Sequence, residues 1–377
     1  MKSRLRIGVV GLRWGLVLAR HCQAAGMEVV ALYDNDSQAF ERASDFPEAV
    51  PYQTYTAFLA HEMDAVILAG AFDEHAPLAI QALHAGKHVL SETSACKSIA
   101  EGIQLIRAVE RTGLVYMFAA NYPFKPYVRQ IRQLFQTGEA GEFEYGECEY
   151  MHSWAPQDFI YFQSQSKYWR ARMSSLAYCT HAVSPVMYAT DLFPTAVSGF
   201  VLPLDRSPQS LQLAPQGRGR AGVMVIHMEN GAYVKVLLGF LQGQLGPDAF
   251  WLRVHGSRGL LETLRHGKLS QVKLHKEGWA SASGQIEDDI HDAPFTENED
   301  LLVCQMFAQA ISTGEAPYFD VYRGVTASLV GICGLRSLLN GSAVCPIPDL
   351  RQEEARCAYE LDDWNGLVAP LPEWAIA

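Results

Sequence analysis

The sequence predicts an α/β Rossmann domain, a parallel doubly wound sheet, followed by an α+β domain with a large, mainly antiparallel sheet. Three observations lead there. Up to about Asn121, short apolar runs alternate with amphipathic stretches. Beyond it, long runs of period-two alternation follow one another with no helices between. The chain has 377 residues, 49% hydrophobic and 19% charged, which is enough apolar material for two cores.

In chain order, Leu5–Gly11 reads as a β-branched-rich strand stopping on glycine, Trp14–Ala25 has helical spacing, and Met27–Tyr33 is a second strand closing on Asp34. A helix over Ser37–Asp45, a strand over Asp64–Ala69 and a helix over Glu74–Ala85 come next. The strand His88–Ser91, the helix Lys97–Thr112 and the strand Val115–Ala119 complete the set. This alternation makes parallel β-α-β units covered on both faces. After the helix Pro126–Gln136 come the alternating runs Glu142–His152, Ala196–Leu204, Gly222–Met228, Ala232–Phe240, Phe250–His255 and Leu260–Leu264. Glu229-Asn230-Gly231 marks a hairpin. Residues 205–220 and 276–298 read as polar surface loops, and Glu299–Ser312 and Tyr322–Leu339 as helices. The expected domains are 1–122, 123–350 and a C-terminal arm, 351–377. A one-sided sheet in the second domain needs its other face covered, which predicts a homodimer or homotetramer formed through that sheet.

Thirty Lys+Arg against 41 Asp+Glu leave a net charge of -11. That argues against nucleic acid or an anionic membrane as partner, since both require a basic face. Eight cysteines without a C-x-x-C pair argue against a disulfide framework and a zinc site, and fit a reducing compartment. The start, Met-Lys-Ser-Arg-Leu-Arg, is followed by an apolar run broken at Arg13, without a small-residue cleavage site, and no apolar run is long enough to span a bilayer. A cytoplasmic protein is expected. The histidines show no H-E-x-x-H or other ligand spacing, so no metal is predicted.

Between the first strand and first helix lies Leu5-Arg-Ile-Gly-Val-Val-Gly-Leu-Arg-Trp-Gly15. Glycines such as Gly8 and Gly11 let backbone turn tightly and approach a pyrophosphate, whose charge meets the helix N-terminus. Asp34 stands about twenty residues on, where a carboxylate binds a ribose 2′-OH and repels a 2′-phosphate, favouring NAD over NADP. Arg13 occupies the place of the middle glycine of G-x-G-x-x-G, and a glycine-containing turn that binds nothing is the competing reading.

Asp64-Ala-Val-Ile-Leu-Ala69, His75-Ala-Pro-Leu-Ala-Ile-Gln-Ala-Leu-His-Ala-Gly-Lys-His-Val-Leu-Ser-Glu92 and Asn121-Tyr-Pro-Phe124 resemble the first domain of the glucose-fructose oxidoreductase/inositol dehydrogenase/MocA family. Gly138-Glu-Ala-Gly-Glu142, Tyr168-Trp-Arg170 and His181 follow its second domain. The resemblance implies bound NAD(P), sugar-like substrates, and cofactor contacts from Gly8, Gly11, Leu12, Arg13, Trp14, Asp34, Ala71, His75, Glu92, Thr93, Asn121, Trp169 and Arg170. Family dehydrogenases carry Glu-Lys-Pro where this chain has Glu92-Thr93-Ser94, and an aspartate where it has Ala177. Losing one member of a buried charged pair strands the other at about 3–5 kcal/mol, so their joint absence looks coordinated.

Tyr178-Cys-Thr-His181-Ala-Val-Ser-Pro185 is similar to the Tyr-x-Thr-His stretch of a branch that cleaves glycosides with tightly held NAD, the α-N-acetylgalactosaminidase type. Tyr150-Met-His152, Asp320-Val-Tyr322 and Pro348-Asp349 match further elements of that branch, while Thr296-Glu-Asn298 replaces its His-Gly-Gly. If Tyr178 opens a helical turn, it shares a face with His181. His181, with an ordinary pKa near 6.5, suits a base for a sugar hydroxyl. Tyr178 or His152 is the candidate second base, and Lys125, Tyr150, His152, Tyr178 and His181 the candidate substrate contacts. Each has a blander reading: a packed core aromatic, a surface salt bridge, a satisfied histidine. Three functions follow. One is redox-neutral glycoside cleavage with NAD recycled, one a net NAD(P)-dependent sugar or polyol dehydrogenase, and one a non-catalytic nucleotide-binding sensor.

Overall fold

Apolar runs in the first third form a parallel six-stranded sheet because helices cover both its faces. The computed structural model describes residues 4–153, 172–241, 249–265 and 270–366. The strands are β1 (Arg6–Val10), β2 (Glu28–Tyr33), β3 (Val50–Tyr52), β4 (Ala65–Leu68), β5 (His88–Ser91) and β6 (Tyr116–Phe118), in the order β3-β2-β1-β4-β5-β6. Helix α1 (Trp14–Ala24) leaves β1, α3 (His75–His84) follows β4 and α4 (Ile99–Thr112) follows β5. Ser98 caps α4 by accepting the Glu101 N–H, and Gly113 ends it in the left-handed region at φ 65°. Strand order reverses between β1 and β4, the position where open α/β sheets bind ligands.

The chain divides into two units. The first gathers Met1–Asn121, Asn298–Ser328 and Leu350–Asn365; the second gathers Tyr122–Glu297, Leu329–Asp349 and Gly366–Ala377. Within the first, the Glu299–Thr313 helix packs on α1, bringing Cys22 Sγ to 3.4 Å from Cys304 Sγ. The Glu353–Tyr359 helix is tied to α4 by Arg107 with Glu353 at 3.1 Å and Arg356 with Glu110 at 2.6 Å.

The second unit holds a sheet of nine described strands; with β8 (Pro194–Leu202), β12 (Leu260–Thr263), β13 (Gln271–Lys276), β14 (Glu287–Asp292), β15 (Cys345–Pro346) and the four central strands β7, β9, β10 and β11 given next, its order is β14-β13-β12-β11-β7-β10-β9-β8-β15. Its axis is β7 (Phe143–Ser153), paired parallel with β10 (Tyr233–Leu241) and antiparallel with β11 (Phe250–Gly256). Strand β9 (Ala221–Met228) and β10 form the hairpin marked by Asn230-Gly231. Side chains alternate along β7, so Tyr150 and His152 share one face, while Glu147 and Glu149 share the other. There Lys235 meets Glu147 at 2.5 Å, and Arg265 grips Glu149 through two bonds of 2.8 and 2.7 Å.

Some local expectations need correction. Ser37–Asp45 is only a 3-10 turn over Ser37–Arg42, with Asp36 capping it. Residues 276–298 are not all loop, since Glu287–Asp292 forms edge strand β14, and Pro208–Leu213 is a short helix within the expected 205–220 loop. Charged side chains mask a strand pattern at an edge, where they also block further pairing.

One contact network fixes the turn that leads into the Thr180–Thr190 helix. Leu176, fully buried, fits where three glycines supply no side chain. A Cβ on Gly222 would lie 2.7 Å from Leu176 Cδ2, one on Gly199 3.1 Å from Leu176 Cδ1, and one on Gly331 3.0 Å from the Leu176 carbonyl oxygen. Gly331 and Gly334 belong to the Val321–Leu339 helix, and a Cβ on Gly199 would also meet the Gly334 carbonyl oxygen at 2.3 Å. Leu176→Ala should destabilise the protein by about 2–5 kcal/mol in urea unfolding. Gly199→Ala, which meets backbone, should lose about 1–3 kcal/mol. Gly334→Ala, which meets only the flexible Met224 Sδ at 3.0 Å, should be nearly neutral; equal losses at both glycines would refute the backbone contact.

Candidate functional site

In the first unit, β1 delivers the chain into a turn that only glycine can make at position 11. Gly11 has φ +84°, and a Cβ there would stand 2.5 Å from the Ala69 carbonyl oxygen. Gly8 is hemmed by Phe58, whose Cζ would lie 2.4 Å from an added Cβ. Arg13 has φ -107°, an ordinary value for a side chain, and its side chain is exposed. Arg13 therefore needs no left-handed backbone where the motif has its middle glycine. Leu12 is buried, and its N–H donates to Asp34 Oδ2 at 2.8 Å, while the Asp36 N–H donates to Asp34 Oδ1 at 2.9 Å. Asp34 thus clasps the glycine turn to the end of β2, with lone pairs left on both oxygens.

Glu92 directly follows β5 and collects several of the predicted residues. Trp14, at the start of α1 and 42% exposed, donates its indole N–H to Glu92 Oε1 at 2.9 Å. The Thr93 N–H donates to Glu92 Oε2 at 3.2 Å. Burial pushes the Glu92 pKa up to about 7 against the pull of these two donors, and the charge on Asp300 adds to the rise. Asn121 donates to Asp300 Oδ1 at 3.0 Å, and Asp300 lies in the first turn of its helix, capped by Asn298. His75 opens α3, is 1% exposed, and bonds the Ser94 carbonyl through Nδ1 at 3.1 Å. Ala71 is half-buried one residue before the Phe72–Glu74 turn, and Phe72 is buried.

These residues fit a dinucleotide. The turn is stripped of side chain at Gly11, helix α1 starts directly after it, and the Asp34 carboxylate stands at the end of β2. Asn121 Oδ1 and His75 Nε2 are buried atoms without a hydrogen-bond partner among the described residues. Trp169 and Arg170, also expected on the cofactor side, lie outside the described residues.

In the second unit, β7, the segment after β6 and the turn before the Thr180–Thr190 helix assemble a cluster of rings. His181 Nε2 is 3.1 Å from Tyr178 Oη, and His152 Nε2 is 2.9 Å from Tyr150 Oη. The Tyr150 ring meets His181 edge-on with centroids 4.9 Å apart, and Tyr122 stacks on His181 at 5.1 Å. Phe240 stacks on His152 at 5.5 Å, and Lys125 Nζ sits 4.8 Å from the Tyr122 ring centroid. All five predicted substrate contacts therefore gather in one cluster. Tyr178 is not helical as expected: it closes the Ser175–Tyr178 turn, and the helix begins at Thr180. The contact with His181 forms because Leu176 anchors that turn. Pro185 inside the helix withholds the N–H that would bond the His181 carbonyl.

Sequence reasoning missed Tyr122, although it quoted the tetrapeptide containing it, and missed Asp300. Only the Asn298-x-Asp300 start of a helix signalled the latter.

Comparison with known proteins gives three findings. Residues 5–120 match the family model described as oxidoreductase family, NAD-binding Rossmann fold. Over 92% of this chain and 84% of the relatives' length, it is 22% identical to an alpha-N-acetylgalactosaminidase of Shewanella oneidensis and 26% identical to a glycosyl hydrolase family 109 protein of Shewanella baltica. Among solved structures, a levoglucosan dehydrogenase in complex with NADH and levoglucosan superposes with a TM-score of 0.76 at 17% identity, covering 92% of this chain and 100% of that one. A myo-inositol 2-dehydrogenase from Lactobacillus plantarum gives 0.71 at 18% identity with the same coverage. The structural likenesses establish the two-part fold.

Burial lowers the His75 pKa to about 4, from an ordinary 6.5. The stability supplied by its neutral form is complete above pH 6.5 and is lost as pH falls towards 4. Urea unfolding of wild type and His75→Phe at pH 7 and pH 4.5 should show a smaller acid loss in the variant; parallel losses would mean that His75 titrates normally.

Proposed function

We propose, from the premise that this chain is an NAD-binding enzyme of the oxidoreductase family through its residues 5–120, that it cleaves a glycoside by a redox-neutral route begun by hydride transfer from a sugar ring carbon. One observation carries this reading: the second unit holds two hydrogen-bonded His–Tyr pairs in one ring cluster. Oxidising a hydroxyl needs one base. Eliminating an anomeric substituent afterwards needs a second, for the C–H that the new ketone acidifies.

Bound NAD supplies the acceptor for the hydride and returns it after cleavage. His181, held by Tyr178 and stacked on Tyr122, takes the proton of the hydroxyl on the carbon being oxidised. The His152–Tyr150 pair removes the proton from the neighbouring carbon, the C–H electron pair becomes the new C=C bond, and the anomeric substituent leaves with the C–O electron pair and takes up the proton that the incoming water gives up. Water adds to the alkene, the second pair returns its proton to carbon, and His181 returns the first proton to oxygen. No pair of carboxylates flanking the glycosidic bond is required, in contrast to conventional glycosidases. Lys125 and Tyr122 orient the sugar, and Asp34 holds the adenosine ribose and selects NAD over NADP.

The names of the relatives support carbohydrate as the substrate class: a glycosidase and two dehydrogenases act on, or are bound to, sugars or a polyol. The dehydrogenases favour a second reading, net oxidation of a sugar, which shares the first step. A second copy of this chain is the proposed cover for the open face of the nine-stranded sheet, where Phe200 and Tyr233 are 45% and 46% exposed.

Purified protein incubated with aryl glycosides of several sugars in deuterated water should release aryl alcohol without net NADH and place deuterium on C2 of the ring. Release without deuterium would defeat the elimination route, and stoichiometric NADH would establish the dehydrogenase. His181→Ala should lower turnover at least about a hundredfold while NAD still binds. Unchanged turnover would remove His181 from the mechanism. Asp34→Ala should narrow the difference between NAD and NADP affinities, and an unchanged difference would refute the ribose assignment.

A further inference from the structure

Strands β7 and β10 run parallel in register, with Leu238 beside Tyr150 and Phe240 beside His152. Neighbouring residues of paired strands project from the same face, so the Phe240 ring comes to lie on the His152 imidazole. The two stack with centroids 5.5 Å apart and an interplanar angle of 22°. Tyr150 meets the same imidazole edge-on at 4.8 Å and 81°, and its hydroxyl lies 2.9 Å from Nε2. These contacts act on different freedoms of the ring. The hydrogen bond sets where Nε2 points, and the stack sets the plane of the imidazole, whose terminal torsion is otherwise broad and two-fold. The backbone that carries Phe240 is closely held. Gly239 has φ +123°, and a Cβ there would stand 2.6 Å from the Arg220 carbonyl oxygen and 2.7 Å from Ala221 Cα. With no side chain in the way, the Phe240 N–H donates to that carbonyl at 2.7 Å, and the Arg220 N–H donates to the Leu202 carbonyl at 3.1 Å. The end of β10 is thereby tied through β9 to β8 where the phenyl ring leaves it.

Phenylalanine can neither take nor give a proton, so what Phe240 contributes is alignment. The two proton transfers of the proposed reaction need alignment unequally. A hydroxyl is guided to its base by the hydrogen bond it forms before the proton moves, whereas a C–H bond offers no such guide. Proton removal from carbon therefore depends on how rigidly the base is held, and a misplacement of about 1 Å can cost about a hundredfold in rate. His181, the base for the hydroxyl, has its ring on Tyr122. We propose that Phe240 is the positioning residue for the carbon-acid step: its ring holds the His152 imidazole in the plane from which the His152–Tyr150 pair takes the proton next to the new ketone. Phe240 then governs the elimination and leaves the preceding oxidation untouched. The inference rests on the redox-neutral reading and deepens it by separating the control of its two proton transfers.

The test compares wild type, Phe240→Leu and Phe240→Tyr on an aryl glycoside that the wild type cleaves, with aryl alcohol and NADH followed together. Leucine keeps an apolar side chain without a flat face, and tyrosine keeps the ring. Phe240→Leu should release aryl alcohol about tenfold to a hundredfold more slowly, at a KM within about twofold of wild type. NADH should then build up on the protein, because oxidation outruns elimination. Phe240→Tyr should bring release back to within about threefold of wild type, without the build-up. Unchanged release in Phe240→Leu, a loss without NADH build-up, or an equal loss in Phe240→Tyr would overturn the inference. A second readout needs no turnover: the ring-current shift on the His152 imidazole protons, assigned by NMR with His152→Asn, should vanish in Phe240→Leu and persist in Phe240→Tyr. A shift that persists in Phe240→Leu would also overturn it, and Phe240→Met provides both results if Phe240→Leu fails to fold. A wild type that makes NADH without aryl alcohol, or neither product, would overturn the redox-neutral reading itself, and is recognised before any variant is compared.

Discussion

The close approach of Leu176 and its surrounding backbone to Gly199, Gly222 and Gly331 is the constraint on which the second unit's ring cluster depends. Side chains at these positions would occupy the space of Leu176 or of the carbonyls around it. Their absence lets the turn before the Thr180–Thr190 helix lie against β8 (Pro194–Leu202), β9 and the Val321–Leu339 helix at once. Ser174 secures the same turn through a 3.0 Å bond to the Gly217 carbonyl. Tyr178 and His181 then follow two and five residues after the plug, so their mutual geometry comes from packing rather than from a regular helix. Close packing of this kind transmits small volume changes, because interiors have no slack to absorb them.

The two units handle charge in different ways. In the second, the His152 and His181 imidazoles are bracketed by phenol and phenyl rings, and their Nε2 atoms bond tyrosine hydroxyls. Either nitrogen of such a ring can hold the proton, so the pairs are suited to taking and returning protons. In the first unit, buried Glu92 accepts from the Trp14 indole and the Thr93 N–H, and burial lifts its pKa to about 7.

Most of the first unit was legible in the sequence because buried parallel strands are continuous apolar runs and their helices are amphipathic. Gly11, Asp34, Glu92 and His75 were readable from position, since each sits at the end of a strand or the start of a helix. Less was legible where contacts are long-range. Asp300 meets Asn121 across 179 residues, and nothing local marks that meeting. Strand β14 was read as loop because acidic residues dominate it, and the parallel pairing of β7 with β10 cannot be inferred from alternation, which is the same for either direction. In the second unit Tyr150, His152, Tyr178 and His181 were named individually, while their grouping depends on the Leu176 socket, which no motif announces.

The first unit is discontinuous, and this bears on how the protein is made. Helix α1 buries Leu18 and Cys22, and Cys304 reaches both the Leu18 carbonyl, at 3.8 Å, and Cys22. Cys22 leaves the ribosome 282 residues ahead of Cys304. At ordinary translation speeds that interval lasts roughly 15–55 s, during which the apolar back of α1 has no covering helix. The segment Tyr122–Glu297 is fully synthesised before the last pieces of the first unit exist. Completion of the nucleotide-binding half thus waits for Asn298–Ser328 and Leu350–Asn365, long after its first strands have left the ribosome.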